Sequence, residues 1–141
     1  VLFRSYEVLP NLYLASFHDA QKNCPTRAFV VNCTKDYPML SDYGTRISVD
    51  DDMSGDAIYG MLNALPSVVE SIDYTLGSGG KVVVHCRAGQ QRSACVIAAY
   101  LMYKYGMDIP EAVQYIRSKK ADAFYGGVNF IGTLKMYKNR L

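Results

Sequence analysis

The chain has 141 residues, half of them apolar, and a formal charge of +2. That is enough chain for one domain with a real core, and the apolar content excludes disorder. The small charge and the lack of a basic tract argue against a nucleic-acid binder, and there is neither a signal peptide nor an apolar run long enough to span a bilayer.

The chain begins at Val1 rather than Met and is read as a fragment or a processed chain, with an N-terminal element before it left open. "YEVLPNLYLAS" predicts two short strands broken at Pro10-Asn11. Ser16-x-x-Asp19 resembles a capping box, so a short helix is expected to start near Phe17. "AFVVNCT" is a compact β-branched run, the pattern of a buried strand. "TRISV" predicts another strand, running into the acidic triplet Asp50-Asp51-Asp52. From Asp56 to about Leu76 the apolar spacing fits a helix, with a bend expected at Pro66. "GSGG" ends it. "KVVVH" is an all-apolar strand of the kind buried on both faces of a parallel sheet. Ser93 to Tyr105 reads as a helix that stops at Gly106. Asp108, Pro110 and Glu111 open a further helix, to about Lys119. A last helix is expected from about Gly127 to Asn139. Strands alternate with helices, so the fold class is α/β, a mostly parallel central sheet flanked by helices. No repeat or linker interrupts it, and residues 1–141 are read as a single domain.

The four cysteines, Cys24, Cys33, Cys86 and Cys95, form no C-x-x-C pair. Their spacing argues against zinc and for reduced thiols in a cytosolic setting.

Cys86 stands where the "KVVVH" strand stops and the next helix begins. In open α/β sheets ligands sit off the carboxyl ends of strands. A helix N-terminus there offers unpaired N–H groups and partial positive charge. Ala88 and Gly89 are small enough to let the connection curl with its N–H groups inward, which makes a ring for a tetrahedral oxyanion. Arg92 can add a bidentate fork. The same positive field favours thiolate over thiol at Cys86. A nucleophile inside an anion cradle suggests phosphoryl transfer to cysteine.

"HCRAGQQRS" resembles the signature of the cysteine-dependent protein phosphatases. "YEVLPNLYLASFHDA", "FVVNCT", "ISVDDD" and "FYGGVNFIGTLKMYKNRL" narrow the resemblance to the small, single-domain dual-specificity phosphatases. The resemblance implies a protein tyrosine phosphatase-like fold, with no cofactor and no metal. It implies Cys86 as nucleophile, with Arg92 and the loop Arg87, Ala88, Gly89, Gln90 and Gln91 around the phosphate. It implies that Ser93 donates to the departing thiolate, though Ser93 also suits a helix N-cap. The family's acid stands four residues after the isoleucine of an I-x-[apolar]-x-D pattern, here Ile47 to Asp51, with Asp50 and Asp52 as alternatives. "CT" after the "FVVN" strand resembles the place where some relatives hold a second cysteine, so Cys33 is a candidate redox partner of Cys86.

Further expectations come from the residues themselves. Neighbours on an extended segment point oppositely, so His85 supports the loop from behind rather than sitting beside the Cys86 sulfur. Asn32 is expected to brace that loop from the neighbouring strand. Arg87 is expected at the pocket mouth, where acidic substrate groups could meet it.

The implied function is hydrolysis of phosphotyrosine and phosphoserine or phosphothreonine on proteins, in the cytoplasm, with the nucleus and a virus-encoded origin left open. The expected partners are phosphorylated proteins, with no nucleic acid and no membrane; the oligomeric state is left open. Rivals on the same fold are a phosphoinositide phosphatase and an RNA 5′-phosphatase. A non-catalytic phosphoprotein-binding module is the rival of another class.

Overall fold

A computed structural model describes residues 6–141; Val1, on which the reading of a fragment rests, lies outside them. The chain opens on β1 (Tyr6–Leu9) and β2 (Leu12–Ser16), an antiparallel pair turned by Pro10 and Asn11, with Asn11 in the left-handed region at φ 70°. Helix α1 (Phe17–Asn23) follows at once, and the Ser16 side chain accepts from the Asp19 N–H as its cap. Next come β3 (Phe29–Asn32), β4 (Gly44–Arg46), α2 (Gly55–Gly77) and β5 (Val82–Cys86). Helices α3 (Arg92–Tyr105), α4 (Ile109–Lys119) and α5 (Ile131–Lys138) complete the described chain.

The sheet order is β1-β2-β5-β3-β4, and every pairing except β1 with β2 is parallel. β5 is therefore central and flanked on both sides, which explains its unbroken apolar run. Its side chains alternate between two cores. Val82, Val84 and Cys86 join the large cluster shared with α2–α5, whereas Val83 packs with Ala20 beneath α1. The register aligns Ser16 with Cys86 and Asn32 with His85, so β2, β3 and β5 end along one edge.

Two element boundaries differ from the sequence expectation. β4 stops at Arg46, and Ile47 and Val49 are buried without being strand. Among the described residues β4 pairs only with β3. Past Arg46 the chain leaves the sheet edge and buries both apolar side chains in the cluster that includes α2. The last helix starts at Ile131, not Gly127. Phe124, Gly126 and Gly127 have φ of 58°, 81° and 122°, which no right-handed helix accommodates. α2 runs on through Pro66, which lies on its exposed face.

Candidate active site

The loop from Cys86 to Arg92 leaves the carboxyl end of β5 and enters α3 at its first residue. Its shape depends on Gly89. That residue has φ +71°, and a Cβ there would stand 2.8 Å from the Ala15 carbonyl carbon and oxygen. The loop thus lies directly on the end of β2. Its carbonyls point outward into protein: Arg87 O accepts from Phe17 N–H, Gln90 O from Phe124 N–H and Gln91 O from Cys95 N–H, at 3.2, 2.8 and 2.8 Å. Among the described residues, none of the N–H groups from Arg87 to Arg92 finds an acceptor. Gly89 and Gln91 among them are buried, where donors without partners are rare. A run of six is the pattern of an anion site.

Ser93, wholly buried at the start of α3, places Oγ 3.2 Å from Cys86 Sγ. Arg92 Nη1 donates to the Val49 carbonyl at 3.0 Å, while its Nε is buried with no partner among the described residues. Arg92 and the exposed Arg87 line a pocket of about 240 Å³ with Thr34, Lys35, Asp36, Tyr37, Asp50 and Asp51. One wall is aromatic: Tyr37 stacks on Phe17 with centroids 4.2 Å apart.

The acidic triplet separates by partner. Asp50 is paired with Lys35 at 2.9 Å, and that bond raises the lysine pKa. Asp52 accepts from the Ser54 N–H at 3.0 Å, and hydrogen bonding by Ser54 holds its carboxyl below the usual range. Asp51 faces the pocket beside Arg92, and its Oδ1 accepts from Asn129 Nδ2 at 2.9 Å.

His85 lies on the α1 side of β5, its ring 5.6 Å from Phe17. Its Nδ1 stands 3.5 Å from the Cys86 carbonyl, and Nε2 is buried without a partner among the described residues. Burial pushes its pKa down to about 4, so the ring is neutral at physiological pH. Cys33 donates its N–H to the His85 carbonyl at 2.8 Å. Its thiol pKa is raised well above the ordinary value, first by burial and then by neighbouring Cys86, with Arg92 opposing.

One assignment needs correction. Asn32 does not reach the Cys86 loop. Its Oδ1 accepts from Thr34 N–H and Oγ1, and its Nδ2 donates to the Tyr37 and Pro38 carbonyls, so it shapes the pocket wall instead. The Gln90 and Gln91 side chains turn away from the pocket. Gln90 donates to Asp122 at 3.0 Å; Gln91 binds the backbone of Tyr125, Gly127 and Asn129. Only their main-chain N–H groups remain for an anion. Sequence reasoning missed Asn129, Lys35 and Tyr37, each brought to the site by a loop without periodicity. The one available signal was a polar Asn129 amid glycines and apolar residues. No group of three or more His, Cys, Asp or Glu among the described residues is placed to hold a metal.

A cysteine and an arginine that bracket an anion loop, at the edge of a parallel sheet, mark the protein tyrosine phosphatase-like fold. Human DUSP28 shares it: its crystal structure superposes with a TM-score of 0.80 at 25% identity, over 99% of this chain and 96% of that one. A mouse putative dual specificity phosphatase complexed with zinc tungstate superposes at 0.84 with 24% identity, over 100% and 90%, a likeness of fold. Residues 12–140 match the model of the dual specificity phosphatase catalytic domain, and the chain belongs to that family. Among relatives, human dual specificity protein phosphatase 9 is 30% identical over 96% of this chain. Arabidopsis thaliana dual specificity protein phosphatase 1B is 39% identical over 50% of it. The chain spans only 36% and 41% of those two proteins' lengths.

Proposed function

We propose that residues 1–141 act as one catalytic domain that hydrolyses phosphate monoesters of tyrosine and of serine or threonine on proteins. The observation that carries this reading is the ring of unpartnered N–H groups, with buried Arg92 Nε, in the loop that begins at Cys86. The loop offers fixed donors to the equatorial oxygens of a phosphoryl group, a preorganised electrostatic contribution.

Cys86 as thiolate attacks phosphorus. As the S–P bond forms, the P–O bond to the side chain breaks, and Asp51 gives its proton to the leaving oxygen. In the second step water attacks the phosphocysteine and passes a proton to Asp51. The sulfur leaves as a thiolate that Ser93 Oγ, 3.2 Å away, stabilises by donating a hydrogen bond. Arg87, exposed at the pocket mouth, is placed to meet acidic groups that flank the phosphorylated residue.

The test uses purified protein on phosphotyrosine and phosphoserine peptides, a phosphoinositide and an RNA 5′-phosphate. Turnover of the peptides by wild type, lost in Cys86→Ser with phosphate binding retained, is the expected result. A Cys86→Ser variant that turns over at the wild-type rate would sink the nucleophile assignment. Preference for the lipid or the RNA would replace the substrate class.

A further inference from the structure

We propose that Asn129 is the positioning residue for Asp51, and that Gln91 sets Asn129 in place. The proposal rests on the phosphatase reading above and assigns a task to signature-loop side chains that do not face the pocket.

Asp51 is an exposed carboxylate in an irregular stretch between β4 and α2. Its one side-chain hydrogen bond among the described residues comes from Asn129 Nδ2 at 2.9 Å, across 78 positions of sequence. Without it, nothing but rotamer preference selects the orientation of the carboxyl group. Asn129 is in turn fixed through its own N–H, which donates to Gln91 Oε1 at 3.0 Å. Gln91 Nε2 donates to the Tyr125 and Gly127 carbonyls at 3.0 and 2.8 Å. Gln91 is 5% exposed, and these bonds use its carbonyl oxygen and both amide hydrogens. Both of its donor hydrogens and its oxygen hold the segment that delivers Asn129. A second tie fixes the other side of the acid: Arg92 Nη1 donates to the Val49 carbonyl, two residues before Asp51. Consecutive residues of the anion loop therefore hold the acid from both flanks.

The polarity of the Asn129 bond has a chemical meaning. An amide N–H only donates, so Oδ1 must accept. In the protonated acid the accepting oxygen is the carbonyl-type one, and the proton resides on Oδ2. Asn129 thus selects the oxygen that serves the leaving group. A small misplacement of such a group costs up to about 10²-fold.

The experiment compares phenyl phosphate, whose phenolate leaves poorly unprotonated, with p-nitrophenyl phosphate, whose phenolate leaves well. Asn129→Ala should lower kcat/KM, which reports the step that expels the leaving group, by about ten- to a hundredfold on phenyl phosphate, with a clearly smaller loss on p-nitrophenyl phosphate. Asn129→Asp keeps the shape but cannot donate from a carboxylate, and should lose at least as much. In an Asp51→Asn background, Asn129→Ala should cost nothing more. Equal losses on both substrates, or additive losses in the double variant, would overturn the proposal. Gln91→Ala should show the same substrate selectivity; if it melts early, the variants of the half-buried Asn129 decide alone. If Asp51→Asn itself shows no leaving-group selectivity, the acid assignment fails and this proposal with it. If Asp51→Asn shows it and Asn129→Ala does not, only the positioning role fails.

Discussion

Cys86 and Cys33 differ in chemistry despite their closeness. Cys86 heads a loop rich in unpaired donors. Cys33 is buried and held as a thiol by the cost of burying its charge. The pair suits a reaction in which peroxide converts the Cys86 thiolate to a sulfenic acid. The Cys33 sulfur would then displace its hydroxyl, forming the S–S bond and releasing water. Peptide mapping under non-reducing conditions after mild peroxide should show a Cys33–Cys86 linkage. A map with only over-oxidised Cys86, or with Cys24 or Cys95 as the partner, would end that idea. At the same scale, Asp51→Asn should lose about 10²–10⁴-fold on phosphotyrosine or phosphoserine peptides, the usual range for a general acid. Asp50→Asn and Asp52→Asn should not, because their carboxylates are engaged by Lys35 and Ser54. If the peptide loss appears only in Asp52→Asn, the acid is one residue further on.

Among the elements, the cysteine loop depends most on a single backbone angle. Gly89→Ala would place a methyl group against the Ala15 carbonyl in the left-handed region, at about 1–3 kcal/mol of backbone strain. The variant should lose both thermal stability and turnover, measured by melting and by p-nitrophenyl phosphate hydrolysis. Unchanged activity would mean the loop does not need its present path. This loop was legible in the sequence because its signal is local: an apolar strand, a cysteine, small residues, an arginine and a helix. Helices α2 to α4 were legible for a similar reason, since their periodicity and caps lie within each segment. The end of β4 was not, because Ile47 and Val49 keep strand-like residue types while burial in the α2 cluster, a distant partner, decides their path. The start of α5 was also missed, because apolar spacing is blind to positive φ at Gly126 and Gly127. Asn32 and Asn129 each sit where the sequence allows a brace, yet what each braces is set by tertiary contacts.

For the molecule as a whole, His85 links stability to pH. Its folded pKa of about 4 lies below the ordinary 6.5, so the unfolded chain binds a proton more readily. The stability from keeping His85 neutral is present above pH 6.5 and is lost as pH falls towards 4. The full shift corresponds to about 3 kcal/mol. Urea midpoints measured across that window should fall with pH more steeply in wild type than in His85→Gln. Equal slopes would show that His85 is not the titrating group. The proposed site is gathered from Ser16, Val49, the Cys86–Arg92 loop and Asn129, segments far apart in the chain. Synthesis delivers them in that order, N-terminus first, at about 5–20 residues per second. For a few seconds on the ribosome the cysteine loop exists while the partners of Gln90 and Gln91, between Asp122 and Asn129, have not been made. The newborn chain therefore carries the proposed nucleophile before the proposed acid can be set in place, and the proposed site is complete only once residues through Asn129 have emerged.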